Sequence, residues 1–210
     1  MPRILIVTGE ASGDLHGAHL VKALKALSPD LQIVGIGGAS MRAAGAELVS
    51  DIPQLDVMGL IGLSAVKAML QRISRIRTLI KRERWDLVVL IDNPGLNFHF
   101  ARVAKASGLK VLYYIAPQVW AWRRGRMRWI QQRVDHVVAI LPFEEPLYKN
   151  AGVRCTFVGN PLLDEISPSY DRAAIRRQFG LTDGGPVIGL FPGSRKAELL
   201  EHVPLLLETI

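Results

Sequence analysis

The feature that most constrains this chain is a regular alternation of short apolar runs with longer amphipathic segments. Residues 4–8, 33–36 and 87–91 have the length and composition of buried strands, whereas residues 15–27 repeat their apolar side chains at helical spacing. Strands that alternate with helices predict a parallel sheet with helices packed on its faces. We therefore expect a doubly wound α/β fold.

The same alternation continues along the chain. It predicts strands at residues 111–115 and 136–141, and helices at residues 40–44, 62–84, 98–107 and 124–133. After residue 159 the pattern restarts, with a polar helix at 171–179, a strand at 187–191 and a helical pattern at 197–210. We place a first domain at residues 1–165 and the beginning of a second α/β domain at 166–210. The last helical pattern lacks a glycine, asparagine or proline exit, which favours a part of a longer protein.

Charge and composition narrow the function classes. The formal net charge of +7 and the pI of about 9.9 favour an anionic partner. The N-terminal residues lack the ordered regions of a signal peptide, and no apolar run has the length of a membrane span, so we expect a cytoplasmic protein. A single cysteine, Cys155, excludes an internal disulfide and a multi-cysteine metal site. The basic residues accompany no recognised nucleic-acid motif, so we expect no nucleic-acid partner.

A glycine-rich loop follows the first predicted strand. The spacing of Gly9, Gly13 and Gly17 matches neither a dinucleotide fingerprint nor a Walker loop. Because a glycine turn lets a ligand approach the backbone and the N-terminus of the next helix, this loop is a candidate substrate site. The candidate substrate-binding residues are Glu10, Ser12, Gly13, Asp14, His16 and Gly17. The structural alternative is a tight turn in which Ser12 or Asp14 caps the helix and His16 lies on its surface.

Asp92 is the strongest candidate for an acid–base residue. It follows directly after the predicted strand at residues 87–91, and ligand sites in open α/β sheets lie at the carboxyl ends of strands. A lone carboxylate in that position suits a general base. In the alternative interpretation, Asp92 forms an Asx turn that opens the next helix, with Pro94 and Gly95 shaping the loop.

Two tryptophans follow the predicted strand at residues 111–115. Trp120 and Trp122 lie two positions apart, with Gln118 before them and Arg123 after them. Indole faces can cover a sugar ring or an acyl chain, and a guanidinium can hold a phosphate. These four residues are therefore candidates for substrate binding, and plain packing of the indoles is the alternative.

An apolar stretch at residues 57–63 runs into the predicted helix at 62–84, where basic and apolar residues are interleaved. An apolar face beside a basic face is typical of a helix that lies on a membrane surface. The predicted membrane-facing residues are Val57, Met58, Leu60, Ile61, Leu63, Val66 and Met69. A core helix with a solvated basic face is the alternative.

Gly193, Ser194 and Arg195 precede the last helical pattern. Their turn can present backbone N–H groups and a guanidinium to a diphosphate, so we predict nucleotide binding there. Glu198 offers a helix cap as the alternative use of this segment.

Taken in order, these motifs resemble those of the lipid-A-disaccharide synthase family, over essentially the whole chain. The motifs are Ser12-Gly13-Asp14 with Gly17-Ala18, Val57-Met58-Gly59, Ile91-Asp92 with Pro94 and Asn97, Pro117 with Val119-Trp120-Ala121-Trp122-Arg123, Leu141-Pro142-Phe143-Glu144, Phe157-Val158-Gly159 and Pro192-Gly193-Ser194-Arg195. The resemblance implies a two-domain GT-B glycosyltransferase, with a Rossmann-like N-terminal acceptor domain and a C-terminal nucleotide-sugar domain.

The resemblance also implies a reaction. The enzyme would join a donor, UDP-2,3-diacylglucosamine, to an acceptor, 2,3-diacylglucosamine 1-phosphate, with inversion and without a metal or other cofactor. Asp92 matches the family's base, Asn97 joins the substrate-binding set, and Arg195 lies on the UDP side. The acylated substrates imply peripheral attachment to the anionic inner face of the cytoplasmic membrane. A second copy of the chain is a further candidate partner.

Three departures from the family pattern bear on this interpretation. Gly95 stands where some members have a second aspartate, and Asn160 replaces a common histidine. The family's chains continue well past residue 210, so this polypeptide alone is expected to be inactive. Two other function classes are weighed against this one. They are another GT-B enzyme on UDP-sugars, such as a peptidoglycan glycosyltransferase or a 2-epimerase, and a non-catalytic basic module that binds membrane or nucleic acid.

Overall fold

The computed structural model describes residues 1–51, 63–119, 125–167, 169–181, 186–193 and 196–209. The chain divides into two compact units, Met1–Leu163 and Asp164–Ile210. The first unit contains the sheet and the helices that cover it. None of the helices in these ranges is both long and apolar enough to cross a bilayer.

The first unit is built on a parallel sheet. Its strands are β1 Arg3–Val7, β2 Gln32–Gly37, β3 Glu47–Asp51, β4 Leu87–Ile91, β5 Val111–Tyr114, β6 His136–Ala139 and β7 Cys155–Phe157. In space they follow the order β3-β2-β1-β4-β5-β6-β7, with parallel pairing throughout. This order belongs to a doubly wound sheet, so the predicted α/β class is confirmed.

Helices connect the strands and cover both faces of the sheet. They are α1 Ala11–Leu27, α2 Ala39–Ala43, α3 Leu63–Arg82, α4 Pro94–Ala106, α5 Arg126–Arg133 and α6 Glu144–Asn150. Because side chains alternate along a strand, Ile4 and Ile6 of β1 pack in the cluster formed with α1 and α2. Leu5 and Val7 pack on the opposite face, in the larger cluster formed with α3 to α6.

Strand β4 lies in the middle of this sheet and shows why the sequence pattern is strong there. Its sequence, LVVLI, is apolar at every position, and its last four residues are buried. A parallel strand covered by helices on both faces has no polar face to present, which explains the unbroken run. The chain direction of β4 also brings Asp92 to the carboxyl edge of the sheet.

Three elements of the first unit are absent from the sequence prediction. They are β3, α6 and β7. Strand β3 lies at one edge of the sheet and β7 at the other, where a strand is short or mixed in composition because only one neighbour pairs with it. The remaining strands and helices of this unit overlap the predicted segments.

The second unit carries two helices, α7 Arg172–Gln178 and α8 Lys196–Thr209. A short 3₁₀ helix, Pro161–Asp164, lies at the junction between the units. The predicted strand at residues 187–191 is wrong, since these residues form neither helix nor strand, and Ile188 and Phe191 are exposed. A strand needs a neighbour to complete its backbone hydrogen bonds, and no strand pairs with this segment among the described residues.

Candidate active site

The order of the strands creates a crevice at the carboxyl edge of the sheet. Strands β1 and β4 are neighbours, but the chain leaves β1 towards β2 and leaves β4 towards β5, so the loops that follow them diverge. This is the switch point at which open α/β sheets bind ligands. The crevice is lined by Thr8, Gly9, Met69, Arg72, Ile73, Ile76, Leu96, Asn97 and Phe100.

The loops after β1 and β4 touch at Gly9. A Cβ atom at that position would lie 2.6 Å from Cγ of Asn93, closer than any real contact of a Cβ atom. Only glycine therefore allows the two loops to approach at this distance. Sequence spacing alone gives no reason for this glycine, because its neighbour Asn93 lies on a different strand connection.

Two further glycines of the same loop serve packing. A Cβ atom at Gly13 would lie 3.2 Å from Cβ of Thr8, and one at Gly17 would lie 2.6 Å from Sδ of Met41. Helix α1 therefore lies close to the end of β1 and to α2, which a larger residue at Gly17 would prevent. The geometry gives these predicted substrate-binding glycines a structural role in the described chain.

The Asp14 carboxylate holds the connection between β2 and α2. It accepts hydrogen bonds from the backbone N–H groups of Gly38 at 2.6 Å, Ser40 at 3.0 Å and Met41 at 3.2 Å. Asp14 therefore satisfies the free donors at the N-terminus of α2, a helix other than its own. The structural alternative, in which Ser12 or Asp14 caps α1, is wrong, because Glu10 occupies the N-cap position of α1 and makes no side-chain capping bond.

The other candidates from this loop lie at the beginning of α1. Ser12 is exposed, whereas Glu10 and His16 are half-buried. Glu10 is the N-cap of α1, and Ser12 and His16 belong to the first two turns of this helix, which starts at the carboxyl edge of β1. They remain predicted substrate contacts, in contrast to Asp14, whose oxygens are engaged by three backbone donors.

Asp92 and Asn93 have a backbone conformation that is rare for residues other than glycine. Their φ angles are +49° and +39°, and Ile115, at the end of the neighbouring β5, has a φ of +56°. Left-handed conformations outside glycine store strain and cluster at functional sites. Strained residues therefore follow β4, at the switch point, and the neighbouring β5.

A network of hydrogen bonds fixes the backbone of Asp92. Its carbonyl oxygen accepts one bond from Nδ2 of Asn97 at 2.7 Å and another from the hydroxyl of Tyr113 at 2.8 Å. Its N–H donates to the carbonyl oxygen of Tyr114 at 3.2 Å. The backbone of Asp92 is thus held by strand β5 and helix α4 as well as by β4.

Asn93, and not Asp92, forms the cap of helix α4. Oδ1 of Asn93 accepts the N–H of Leu96 at 3.3 Å, and Pro94 occupies the first turn of the helix. Asparagine tolerates the left-handed region, so this position suits it. The Asx-turn interpretation of Asp92 is wrong, because the neighbouring residue performs that role.

Asn97 is a positioning residue rather than a surface contact. It is 1% exposed, and Nδ2 donates to the carbonyl oxygens of Ile91 at 2.9 Å and Asp92 at 2.7 Å. Its amide nitrogen therefore holds the end of β4, and substrate binding by Asn97 stays a prediction. It nevertheless lines the crevice beside Gly9.

Tyr113 was not among the sequence candidates. Its side chain is fully buried, and burial, followed by the nearby negative charge of Asp92, raises its pKa well above the usual 10.0. The phenol therefore stays protonated and continues to donate to the carbonyl oxygen of Asp92. The sequence offers no signal for this contact, because Tyr113 lies 21 residues beyond Asp92 on the next strand.

Two hydrogen bonds to one carbonyl oxygen hold the loop after β5 in place. The buried Tyr148 donates its hydroxyl hydrogen to the carbonyl oxygen of Pro117 at 3.0 Å, and Val119 N–H bonds to the same oxygen at 2.7 Å. This arrangement leaves Gln118 exposed between two buried neighbours. The predicted contacts Trp120, Trp122 and Arg123 lie outside the described residues.

The predicted membrane-facing residues fall mostly outside the described structure. Val57, Met58, Leu60 and Ile61 are not described, and Leu63 and Val66 are described only as backbone of α3. Met69 is half-buried and lines the crevice beside Thr8 and Gly9. Its membrane-facing role stays a prediction.

Gly193 is the described part of the predicted nucleotide loop, and Ser194 and Arg195 lie outside the described residues. Gly193 has a φ of +101°, and a Cβ atom there would lie 2.9 Å from Cβ of Glu198. Nδ1 of His202 lies 2.9 Å from the carbonyl oxygen of Pro192. The close approach to Glu198 and the contact with His202 thus hold this loop against α8, the helix that follows it.

The fold of this chain is similar to that of solved proteins that handle UDP compounds. S. aureus MnaA, solved with UDP, has a TM-score of 0.61 at 14% identity, over 86% of this chain and 52% of that one. A UDP-N-acetylglucosamine 2-epimerase has a TM-score of 0.59 at 13% identity, over 83% of this chain and 54% of that one. At these identities the likeness concerns the fold alone.

Sequence comparison is more specific. The lipid-A-disaccharide synthase of Geobacter metallireducens is 48% identical over 208 residues, which cover 99% of this chain and 54% of that protein. The chain spans about half the length of the curated relatives it matches. A model of the lipid-A-disaccharide synthetase family matches residues 4–210. Since that match extends over nearly the whole sequence, the chain belongs to the lipid-A-disaccharide synthetase family.

Proposed function

We propose that this chain provides the acceptor side of an inverting glycosyltransferase that makes the lipid A disaccharide. The donor is UDP-2,3-diacylglucosamine, the acceptor is 2,3-diacylglucosamine 1-phosphate, and the products are the disaccharide 1-phosphate and UDP. The proposal combines family membership with one observation. Asp92 stands at the switch point, with its backbone fixed by Asn97 and Tyr113 and its capping role taken by Asn93.

Asp92 is the proposed general base. Its carboxylate accepts the proton of the acceptor's 6-hydroxyl group while that oxygen attacks the anomeric carbon of the donor. The bond between that carbon and the UDP oxygen breaks, UDP leaves with the bonding electrons, and the anomeric configuration inverts. A base must be held within hydrogen-bond reach of the hydroxyl, and the strained, fixed backbone at Asp92 supports that requirement.

The remaining candidate residues divide between the two substrates. Glu10, Ser12 and His16, on the first turns of α1, are proposed acceptor contacts because they start from the same edge of the sheet as Asp92. Gln118 is proposed as a contact because it is exposed while the loop around it is anchored. The proposed nucleotide-binding residues are Gly193, Ser194 and Arg195.

Attachment to the anionic inner face of the cytoplasmic membrane is part of the same proposal. Helix α3 exposes the apolar residue Leu70 together with a set of basic residues. The exposed basic residues of α3 are Lys67, Arg75, Arg77, Lys81 and Arg82. Basic side chains near an anionic leaflet each strengthen attachment by about 1 kcal/mol, and apolar residues insert beside them.

The deciding experiment measures UDP release by the full-length gene product supplied with both lipids. We expect Asp92→Asn to lower the rate by roughly two to four powers of ten, because the variant has no base. Asp86→Asn is the matched control. Asp86 lies just before the other end of β4, where its carboxylate accepts the N–H of Arg3 at 2.7 Å.

Each alternative predicts a different result. A near-normal rate for Asp92→Asn would contradict the assignment of the base while leaving the transferase in place. UDP-sugar turnover that needs no lipid acceptor would instead favour an epimerase-type enzyme. If the wild-type protein released no UDP when it was supplied with both lipids, the proposed reaction would be wrong.

A further inference from the structure

Helices α3, α4 and α5, which cover one face of the sheet together with α6, carry no carboxylate. Basic residues number six in α3, two in α4 and three in α5, while aspartate and glutamate are absent from all three sequences. The helices on the opposite face, α1 and α2, carry Asp14 together with Lys22, Lys25 and Arg42. The excess positive charge of the chain is therefore concentrated on the α3–α5 face.

Two guanidinium groups on this face, those of Arg77 in α3 and Arg102 in α4, lie near the imidazole of His99. His99, in α4, is half-buried, and burial, followed by the charges of Arg77 and Arg102, lowers its pKa below 6.5. Burial and the charge of Arg102 likewise lower the pKa of Arg133 from 12.5. Arg102 of α4 therefore acts on both His99 and Arg133 of α5, and Arg77 of α3 acts on His99.

The cluster lacks an internal counter-ion. Within the described part of the chain, no ion pair involves Arg77, Arg102 or Arg133, whereas Lys105 of α4 pairs with Asp135 at 2.8 Å. Nε2 of His99 and Nη1 of Arg133 are both buried without a hydrogen-bond partner among the described residues. Buried polar atoms normally have a partner, and Nη1 of Arg133 is a donor, so it indicates a ligand that supplies an acceptor oxygen; the tautomer of His99 with hydrogen on Nε2 would donate to the same ligand.

Aromatic side chains hold part of the cluster in place. The Arg133 guanidinium lies over the Trp129 ring, with Cζ 4.6 Å from the ring centre. Trp129 in turn stacks on Phe98 at 4.1 Å between ring centres. A guanidinium fixed over a ring loses less conformational freedom when it binds an anion, and its planar donors match the oxygens of a phosphate.

We propose that Arg77, His99, Arg102 and Arg133 form a phosphate-binding site on the α3–α5 face, separate from the crevice at Asp92. The ligand is a phosphate group, carried by a lipid headgroup or by a soluble phosphate compound. The site does not depend on the proposed transferase reaction, because its evidence is the positive charge of this face and the two buried, unpartnered nitrogen atoms of His99 and Arg133. A failed UDP-release assay would leave it unaffected.

The test titrates the 210-residue chain with inorganic phosphate at low ionic strength, using calorimetry and the ring resonances of His99. We expect saturable binding at one site, with a shift of the His99 resonances. Arg102→Gln should weaken binding about tenfold, since it removes one charge-assisted contact. Arg128→Gln removes the same charge from an exposed position of α5 and should change the affinity less than twofold.

Arg77→Gln provides a second variant at an exposed position, so that a folding defect in one variant cannot decide the test. Vesicles of phosphatidylcholine with and without phosphatidylglycerol then distinguish the sources. If Arg102→Gln loses binding to the anionic vesicles together with phosphate, the ligand is a headgroup. If only phosphate binding is lost, the ligand is a soluble phosphate compound. Absence of saturable phosphate binding, or equal losses in Arg102→Gln and Arg128→Gln, would overturn the proposal.

Discussion

Apolar side chains have different environments in the two units. In Met1–Leu163 they form a cluster on each face of the sheet, and Leu5, Leu90 and Ile130 are completely buried. In Asp164–Ile210 every described residue is half-buried or exposed, including Ile188 and Phe191. An apolar segment therefore becomes buried only where it can pack against a sheet, because most of the stability of a helix or strand comes from tertiary packing.

Truncation of one leucine in each unit should give the largest contrast. Leu90 is 0% exposed in β4, and Leu207 is 63% exposed in α8. We expect Leu90→Ala to lower the free energy of unfolding by about 2–5 kcal/mol, since it leaves a cavity. Leu207→Ala should change it by less than about 0.5 kcal/mol. Urea denaturation followed by circular dichroism measures both, and equal losses would remove the distinction between the units.

Removal of one hydroxyl from each unit should give a smaller contrast. The buried Tyr113 hydroxyl donates to the carbonyl oxygen of Asp92, whereas the Tyr170 hydroxyl accepts the N–H of Ser167 at an exposed site. Tyr113→Phe should lower the free energy of unfolding by about 0.5–1.5 kcal/mol. Tyr170→Phe should have no measurable effect in the same assay. A neutral Tyr113→Phe would mean that Asn97 alone holds the end of β4.

Removal of one carboxylate charge from each unit should give the smallest contrast in stability. In the first unit this carboxylate belongs to Asp135, which forms an ion pair with Lys105. Burial by itself would raise the pKa of Asp135, but hydrogen bonds from Lys105 and the Val111 N–H outweigh it and lower the pKa below 3.8. A lowered pKa in the folded state adds stability above pH 3.8, and this stability is lost as the pH falls through the lower folded value. Asp135→Asn should therefore flatten the acid limb of the curve of stability against pH.

The expected loss for Asp135→Asn at neutral pH is about 0.2–1 kcal/mol, the range of partly exposed ion pairs. Asp171→Asn in the second unit is the control, because its side chain caps α7 at an exposed position. All four tryptophans lie at positions before residue 164, so fluorescence during unfolding reports the first unit. An unchanged acid limb in Asp135→Asn would show that the pair contributes nothing to folding.

The sequence predicted most of the sheet because its central strands are apolar at every position. Strand β4 was placed to the residue, between Asp86 and Asp92. Strand β3, with the sequence ELVSD, and the three-residue β7 were missed, since edge strands have neither the length nor the pattern. The false strand at residues 187–191 has the composition of a buried strand but no neighbour among the described residues.

The candidate site was predictable only where it depends on position along the chain. The location of Asp92 follows from the end of one strand. The roles of Asp14 and Asn97 do not follow from position along the chain. Asp14 binds the backbone of Gly38 after β2, and Asn97 binds the backbone of Ile91 in β4. Tyr113 reaches Asp92 from 21 residues further along the chain, and no local pattern encodes that contact. Through-space partners therefore required the structure.

The left-handed backbone at Asp92 has a consequence for how this family member can be engineered. A residue with a φ of +49° stores strain of order 1–3 kcal/mol, which glycine would relieve. A screen that rewards heat resistance alone should therefore drift towards glycine at position 92. A screen that selects for turnover should retain the carboxylate, so the two screens should favour different residues at position 92.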